Sequence, residues 1–513
     1  MSALTIGPST PPQIPRRLRA AAAEFGLRPA VISAERTLSW NQLLDEATAF
    51  AAFLQESGVR KGDVVAWQLP NWWEALVVAH GIWIAGAASA PAVPLFRAHE
   101  MAQVLAKTQP TCVVTAGQIR RTSHVDVFED ALRQEGVRPS VRVVVRGSAP
   151  GWTPFEQTLR AGAAVVSETP EAALIAFTSG TTSGAKGVVH SSATFLSVAD
   201  AMVPACGMRY DDVGYLSAPL AHAAGLVWGV GIPMASGAAV VLRDTWEPEA
   251  ALKDFQVHSV TYSTGPALFL SELLDAMKRH GVAKLPLRTG FPTGGSGLPD
   301  SIIESADEVG LRPLRGYGMT ECPMTAITRP FDPAAKRRYT DGRASSGSEL
   351  KVVSSDGAEM ARGDEGEILA RGPQRAVRYL DATDDEAFLD GGWFRTGDLG
   401  RLDESGFVRV TGRLKDIINR GGEKFSALEI ESLLAAHPDV AEVAVTAVPH
   451  DRFGEQPAAF VVLRGTSPLD AAALQQFLSA RHLAKQKIPQ IWHVMDRLPR
   501  TASGKVVKRQ LLE

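Results

Sequence analysis

Apolar positions recur along this chain with two periods, and the switches between them divide it. Leu43, Leu44, Ala47, Ala51 and Leu54 return every three or four residues, the spacing of one helix face. Residues 61–69 then read as a short buried strand and residues 72–85 as a helix. The apolar run 75–88 contains His80 and two glycines and is too short to span a bilayer, so it predicts a buried helix. Residues 141–147 and 172–180 are further strand patterns. This alternation, kept up to about residue 260, predicts an α/β domain with largely parallel sheets.

Between roughly residues 345 and 412 the pattern changes to strands separated by Gly and Asp turns, at 347–357, 366–372 and 406–413. They predict a small β-rich unit on the main domain. After Arg413 the pattern is mixed. Residues 425–437 form an amphipathic helix pattern with Leu428, Leu433 and Leu434 inward; 440–448 and 458–463 read as strands, 470–482 as a helix and 490–496 as a last strand. The reading is an α/β protein. A tail at 1–15 precedes a large N-terminal domain at 16–412, and a small mobile α+β domain follows at 417–513.

Composition narrows the class. A chain of 513 residues calls for more than one domain, and 45% hydrophobic with 21% charged residues is a globular balance. A formal net charge of −3 gives no reason to expect nucleic acid as a partner. Cys112, Cys206 and Cys322 are far apart and form no CxxC pair, which argues against a disulfide framework or structural zinc. With no signal-like segment and no apolar stretch of ~18 residues, a reducing cytoplasm is the expected setting.

The most chemical stretch is Phe177-Thr178-Ser179-Gly180-Thr181-Thr182-Ser183-Gly184-Ala185-Lys186-Gly187, which follows an apolar strand. Glycines let backbone N–H groups turn toward an anion, hydroxyls donate further hydrogen bonds, and lysine adds charge. A loop holding phosphates needs these groups. It is not a Walker A loop, because Ala185 separates Gly184 from Lys186 and no Ser or Thr follows the lysine.

Other motifs follow in order. They are Pro219-Leu220-Ala221-His222-Ala223-Ala224-Gly225, Gly294-Gly295-Ser296-Gly297, Tyr317-Gly318-Met319-Thr320-Glu321, Trp393-Phe394-Arg395-Thr396-Gly397-Asp398, Gly412-Arg413-Leu414-Lys415-Asp416 and Pro499-Arg500-Thr501-Ala502-Ser503-Gly504-Lys505. With the phosphate loop they resemble the adenylate-forming superfamily of acyl-CoA synthetases, peptide-synthetase adenylation domains and firefly luciferase. The resemblance extends over nearly the whole chain. The chain departs from that pattern at Ser183, at Ala185 and at Arg378, where Gly, Pro and Gly are usual.

The resemblance implies an acid–thiol ligase that uses ATP, Mg²⁺ and coenzyme A. Ser179, Thr181, Thr182 and Lys186 would hold the β- and γ-phosphates, and Thr178 and Gly180 would also belong to the ATP site. Glu321 would be the Mg²⁺ carboxylate and Thr320 would bond the α-phosphate. Tyr317 would stack on adenine, with Gly295, Ser296 and Gly297 on its other side. Asp398 would bind the ribose hydroxyls, supported by Arg413. Lys505 would stabilise the adenylation transition state. Lys415, within 413–416, would be the hinge of a rotating C-terminal domain, and Gly421, Gly422 and Glu423 would line the thiol tunnel. His222 would gate an acyl pocket walled by Ala223, Ala224, Gly225, Val227 and Gly229, with Met319 and Met324 opposite. Small apolar walls favour a medium-chain, alicyclic or aromatic acid. Loading of a phosphopantetheinyl carrier protein stays open as the alternative to CoA.

Overall fold

The computed structural model describes residues 12–160, 162, 164–167, 171–178, 186–285, 287–294, 300–465, 470–500 and 506–512. The first helix is Ile14–Phe25, so the tail of the sequence reading ends by residue 13. Pro15 is preorganised for a first helical turn, and Ile14, Leu18 and Ala21 face the core.

The main domain is built on an eight-stranded sheet. Its order is Arg378–Tyr379, Lys186–His190, Leu174–Thr178, Ala88–Pro91, Val64–Gln68, Cys112–Ala116, Val141–Val145 and Thr153–Pro154. From Leu174–Thr178 to Thr153–Pro154 the strands run parallel; the two at the other edge are antiparallel. Every residue of Ala88–Pro91 and Cys112–Ala116 is buried, which is why these strands read as unbroken apolar runs.

Helix Trp73–Ile84 covers this sheet and is buried throughout from Glu74 onward. Its carboxylate, Glu74, takes two hydrogen bonds from Arg146, at 2.7 and 3.0 Å. Gly81 lets helix Trp40–Glu56 approach: a Cβ there would lie 2.7 Å from Phe50. Among the described residues, no helix is long and apolar enough to cross a membrane.

A second sheet orders Tyr262–Thr264, Val213–Leu216, Ala239–Leu242, Pro29–Ile32 and Thr37–Ser39, all parallel but the last. A third places Phe291–Gly294 and Pro313–Tyr317 side by side in parallel, followed by Ala326–Ile327 and Arg343–Ala344. The β-rich unit is an antiparallel sheet of Glu349–Val353, Gly366–Arg371, Phe394–Leu402 and Val408–Arg413. The sequence pattern marks no strand between residues 372 and 406, and here the structure adds one. Asp398 lies inside a nine-residue strand. Gly397 at φ 69° and a register shift between Leu399 and Gly400 break the alternation that would have revealed it.

A single turn, Leu414–Asp416, leads into the C-terminal unit. Strands Ile417–Arg420, Glu423–Ser426, Val440–His450, Gly454–Leu463 and Ile491–Val494 form one sheet there. Helices Ala427–Ala435 and Ala471–Ala480 close its core through Ile430, Leu434, Leu474 and Leu478. Leu434 is buried, whereas Leu428 and Leu433 are only partly so.

Candidate active site

The ends of these sheets surround a cavity of about 1290 Å³, and helix Ala427–Ala435 with Glu442 and Arg500 closes one side of it. Thr320 and His222 line it and Tyr317 and Glu321 adjoin lining residues, whereas Thr178, Lys186, Asp398, Arg413 and Lys415 are not part of its wall.

Two paired strands flank the segment expected to hold phosphates. Thr178 lies opposite Lys186 across antiparallel strands, so Lys186 and Gly187 belong to a strand and not to the loop. Gly187 serves packing: a Cβ there would lie 3.0 Å from that of Leu380. Ser179, Gly180, Thr181, Thr182, Ser183 and Ala185 lie outside the described residues, as do Gly295, Ser296, Gly297 and Lys505.

Thr320 and Glu321 follow strand Pro313–Tyr317 and are tied to the loop's strand by His190. The His190 Nε2 lies 2.8 Å from the Thr320 carbonyl, and Nδ1 lies 3.2 Å from Thr194 Oγ1. Burial lowers the pKa of His190 to about 4, so the ring is neutral and its one N–H donates to that carbonyl. Glu321 Oε1 accepts a hydrogen bond from the Tyr379 hydroxyl at 2.7 Å. The Lys186 ammonium sits 5.2 Å from the centroid of the same tyrosine ring. Tyr379 and His190 were not singled out by the motifs, and only strand pairing brings them here. Arg378, the unusual residue beside Tyr379, bonds back to the carbonyls of Tyr379 and Leu380, at 2.9 and 3.3 Å. Its side chain thereby covers the outer edge of the sheet.

Tyr317, Asp398 and Arg413 form one connected group. Asp398 is 3% exposed, and it pairs in register with Arg413 on the neighbouring strand. Its Oδ2 accepts from the Tyr317 hydroxyl at 3.0 Å, and its Oδ1 lies 2.9 Å from Arg413 Nε. The Tyr317 ring is buried against Ala326, Val352, Ile368, Leu402 and Val408. Burial first, and the Asp398 charge second, push its phenol well above the ordinary range.

The acyl side is built on the helical stretch 223–236, in which Ala223–Leu226 runs into a wide π-turn at Val227–Gly231. His222 caps its start: the Ala224 N–H donates to Nδ1 at 3.3 Å. Ala223, Ala224, Val227, Trp228, Met319 and Met324 line the cavity. Gly225 and Gly229 do not, contrary to the sequence reading. A Cβ on Gly225 would lie 1.9 Å from the Pro219 carbonyl oxygen, and one on Gly229 would meet Leu216 and Leu220. The Trp228 ring is backed by Tyr262 at a centroid distance of 6.0 Å. The adjacent Arg120 and Arg121 also line the wall, and the fold adds Arg97 to the same cavity.

Gly421 and Gly422, at φ 63° and 93°, make the two-residue turn between Arg420 and Glu423. That hairpin is exposed, with Glu423 bonded to Gln486 at 2.6 Å, and it is not part of the cavity wall in this arrangement. Lys415 is exposed to solvent; partial desolvation, then the charge of Arg413, holds its pKa below the usual lysine range. Among the described residues no group of three or more His, Cys, Asp or Glu is placed to hold a metal ion. A lone carboxylate with one oxygen held by a phenol still fits Mg²⁺, which takes its remaining ligands from phosphates and water.

Residues 18–380 match the family model described as AMP-binding enzyme, and residues 429–505 match the AMP-binding enzyme C-terminal domain. The chain belongs to the AMP-binding enzyme family. It is 32% identical to the medium-chain fatty-acid–CoA ligase of Escherichia coli strain K12, covering 92% of this chain and 84% of that one. It is 33% identical to a methyl-dioxo-octahydroindenyl-propanoyl:CoA ligase of Rhodococcus jostii strain RHA1, over 98% and 99% of the two chains. It is also 33% identical to the indoleacetate–CoA ligase of Aromatoleum aromaticum, over 95% and 96%. The ATP-bound crystal structure of MatB from Rhodopseudomonas palustris superposes with a TM-score of 0.87 at 27% identity, covering 98% of each chain. The apo form of that protein gives 0.76 over the same coverage, so this ligase's overall arrangement is nearer the ATP-bound one. The chain is an AMP-forming acid–thiol ligase, and ATP and CoA are the substrates of its family.

Proposed function

We propose that this ligase joins CoA to a compact medium-chain, alicyclic or aromatic carboxylic acid. The observation that carries the acid class is the acyl arm of the cavity. It is walled by Ala223, Ala224, Val227, Met319 and Met324 together with the bulky Trp228, which is backed by Tyr262. Apolar walls favour an apolar acyl group, and a bulky wall residue restricts its size.

In the first half-reaction a carboxylate oxygen attacks the α-phosphorus of ATP. A P–O bond forms, the bond to the bridging oxygen breaks, and pyrophosphate leaves. Lys186 and the loop hydroxyls of Ser179, Thr181 and Thr182 hold the outer phosphates, Thr320 bonds the α-phosphate, and Lys505 meets the charge that develops there. Tyr317, Asp398, Arg413 and the Gly295–Gly297 segment hold the nucleoside. Glu321 would hold Mg²⁺, which when bound neutralises phosphate charge. In the second half-reaction the CoA sulfur attacks the acyl carbon and AMP leaves. Rotation at Lys415 would bring Gly421, Gly422 and Glu423 to line the thiol path. The three arginines Arg97, Arg120 and Arg121 suit the phosphates of CoA.

A panel of acids tests this, with ATP, Mg²⁺ and CoA, read by AMP release. Octanoate, cyclohexanecarboxylate and phenylacetate are expected to outpace palmitate in kcat/KM, with release dependent on CoA. Preference for palmitate would overturn the acid class. Turnover with a phosphopantetheinyl carrier but not with CoA would overturn the acceptor.

A further inference from the structure

The two-residue strand Arg378–Tyr379 is the last strand of the large sheet, yet it joins the two parts of the site that handle phosphate charge. Its segment is zipped to both. The Val377 and Leu380 N–H groups donate to the carbonyls of Val189 and Gly187, at 2.8 and 2.7 Å, on the strand that begins with Lys186. The Ala376 N–H donates to the carbonyl of Glu321 at 2.7 Å. Between these ties the Tyr379 ring is 6% exposed, packed edge-on against Phe388 at 5.4 Å and against Val188 and Ala376. Its own N–H donates to Asp385 Oδ1 at 2.8 Å. The ring therefore has one position. From that position its hydroxyl donates to Glu321, and its face carries the Lys186 ammonium. An aromatic ring is suited to both tasks: the phenol O–H is a donor for an anion, and the π face attracts a cation.

We propose that Tyr379 is a positioning residue that sets the Glu321 carboxylate and the Lys186 ammonium relative to each other for Mg·ATP. This rests on the roles given to Glu321 and Lys186 above. Glu321 is only half-buried, so its carboxylate has several rotamers available without the phenol. With one oxygen occupied by Tyr379, the other is left to face a cation. The Lys186 ammonium, held on the opposite feature of the same ring, is kept apart from that carboxylate and directed to phosphate.

The test is binding of a fluorescent N-methylanthraniloyl-ATP, titrated with Mg²⁺, to wild type, Tyr379→Phe, Tyr379→Leu and Glu321→Gln. Tyr379→Phe keeps the ring and deletes one hydrogen bond to a charged group. It is expected to raise the Mg²⁺ concentration for half-maximal binding about tenfold, with affinity in EDTA unchanged. Tyr379→Leu removes the face as well and weakens binding in EDTA too. Adding Tyr379→Phe to Glu321→Gln is expected to add no further Mg²⁺ shift, because both act through one carboxylate. A melting curve on each variant identifies loss of fold. If Glu321→Gln shifts the Mg²⁺ dependence and Tyr379→Phe does not, the positioning role falls. If Glu321→Gln itself leaves it unchanged, the metal role of Glu321 falls, and with it the reason for the phenol. Equal EDTA affinities for the Phe and Leu variants would overturn the contact with Lys186.

Discussion

Asp398 illustrates how one side chain can support the fold and also carry a proposed role in the site. It is buried, and it accepts a hydrogen bond from a buried phenol and pairs with a largely exposed guanidinium. Because the Tyr317 pKa is pushed upward, the phenol remains protonated and remains the donor. Asp398 and Arg413 therefore predict different mutant behaviour. Asp398→Ala removes the buried carboxylate that accepts from the Tyr317 hydroxyl and leaves it the Thr396 hydroxyl, which costs about 1–3 kcal/mol of stability, and it also removes the proposed ribose acceptor. Arg413→Ala removes an exposed partner only. It is expected to raise KM for ATP while leaving the melting temperature within a few degrees of wild type. Thermal melts beside ATP kinetics on the two variants check this. Equal destabilisation by both would show that Arg413 has a structural role as well.

The helical stretch after His222 shows how much of the site was readable at the level of an element. Once a helix starts at Ala223, its period decides which residues see substrate. Ala223 with Val227, and Ala224 with Trp228, are four apart and line the cavity. Gly225 with Gly229 are also four apart and face Pro219, Leu216 and Leu220 instead. The sequence reading grouped the small residues by size and passed over Trp228, because nothing local marked where the helix began. The alternation of strands and helices was legible for the same reason that Asp398's strand was not. Buried parallel strands are unbroken apolar runs, whereas the strand Phe394–Leu402 carries a left-handed glycine and a bulge. Motif order singled out Glu321 and Asp398 as candidates, but Tyr379 and His190 come beside Glu321 and Thr320 only through long-range pairing, which no local pattern encodes. Trp228 supplies the prediction at this scale. Trp228→Leu deepens the acyl arm, and two further methylenes buried at about 0.8 kcal/mol each would favour the longer acid by about tenfold. A chain-length series of straight acids, compared as kcat/KM against wild type, measures the shift. An unchanged optimum would mean that the arm ends elsewhere.

At the scale of the whole molecule, three buried histidines link folding to proton uptake. Burial lowers His80 to about 3, His190 to about 4 and His124 to about 4, each from an ordinary value of 6.5. Between those values and 6.5 the unfolded chain holds a proton at each position that the folded chain does not, so unfolding is favoured as pH falls. The stability each confers is complete above pH 6.5 and is lost toward pH 4, at up to about 1.4 kcal/mol per pH unit. Glu46, Glu272 and Glu431 act with the opposite sign, since burial raises their values and the fold then holds the extra proton above pH 4.5. A total stability curve mixes the two sets, so the histidine share is read from a difference. His80 is the cleanest position: it lies within the buried helix Trp73–Ile84, edge-on to Trp83 at 5.7 Å, and no titratable partner is a cause of its shift. His80→Leu keeps an apolar group of similar size there and removes the proton acceptor. Its stability relative to wild type is expected to rise as pH falls from 6.5 to 4.5, by about 1.4 kcal/mol per unit. Urea unfolding followed by tryptophan fluorescence at pH 7, 6 and 5 gives that difference, and a difference that stays constant across the three would rule out His80 as a source of acid sensitivity.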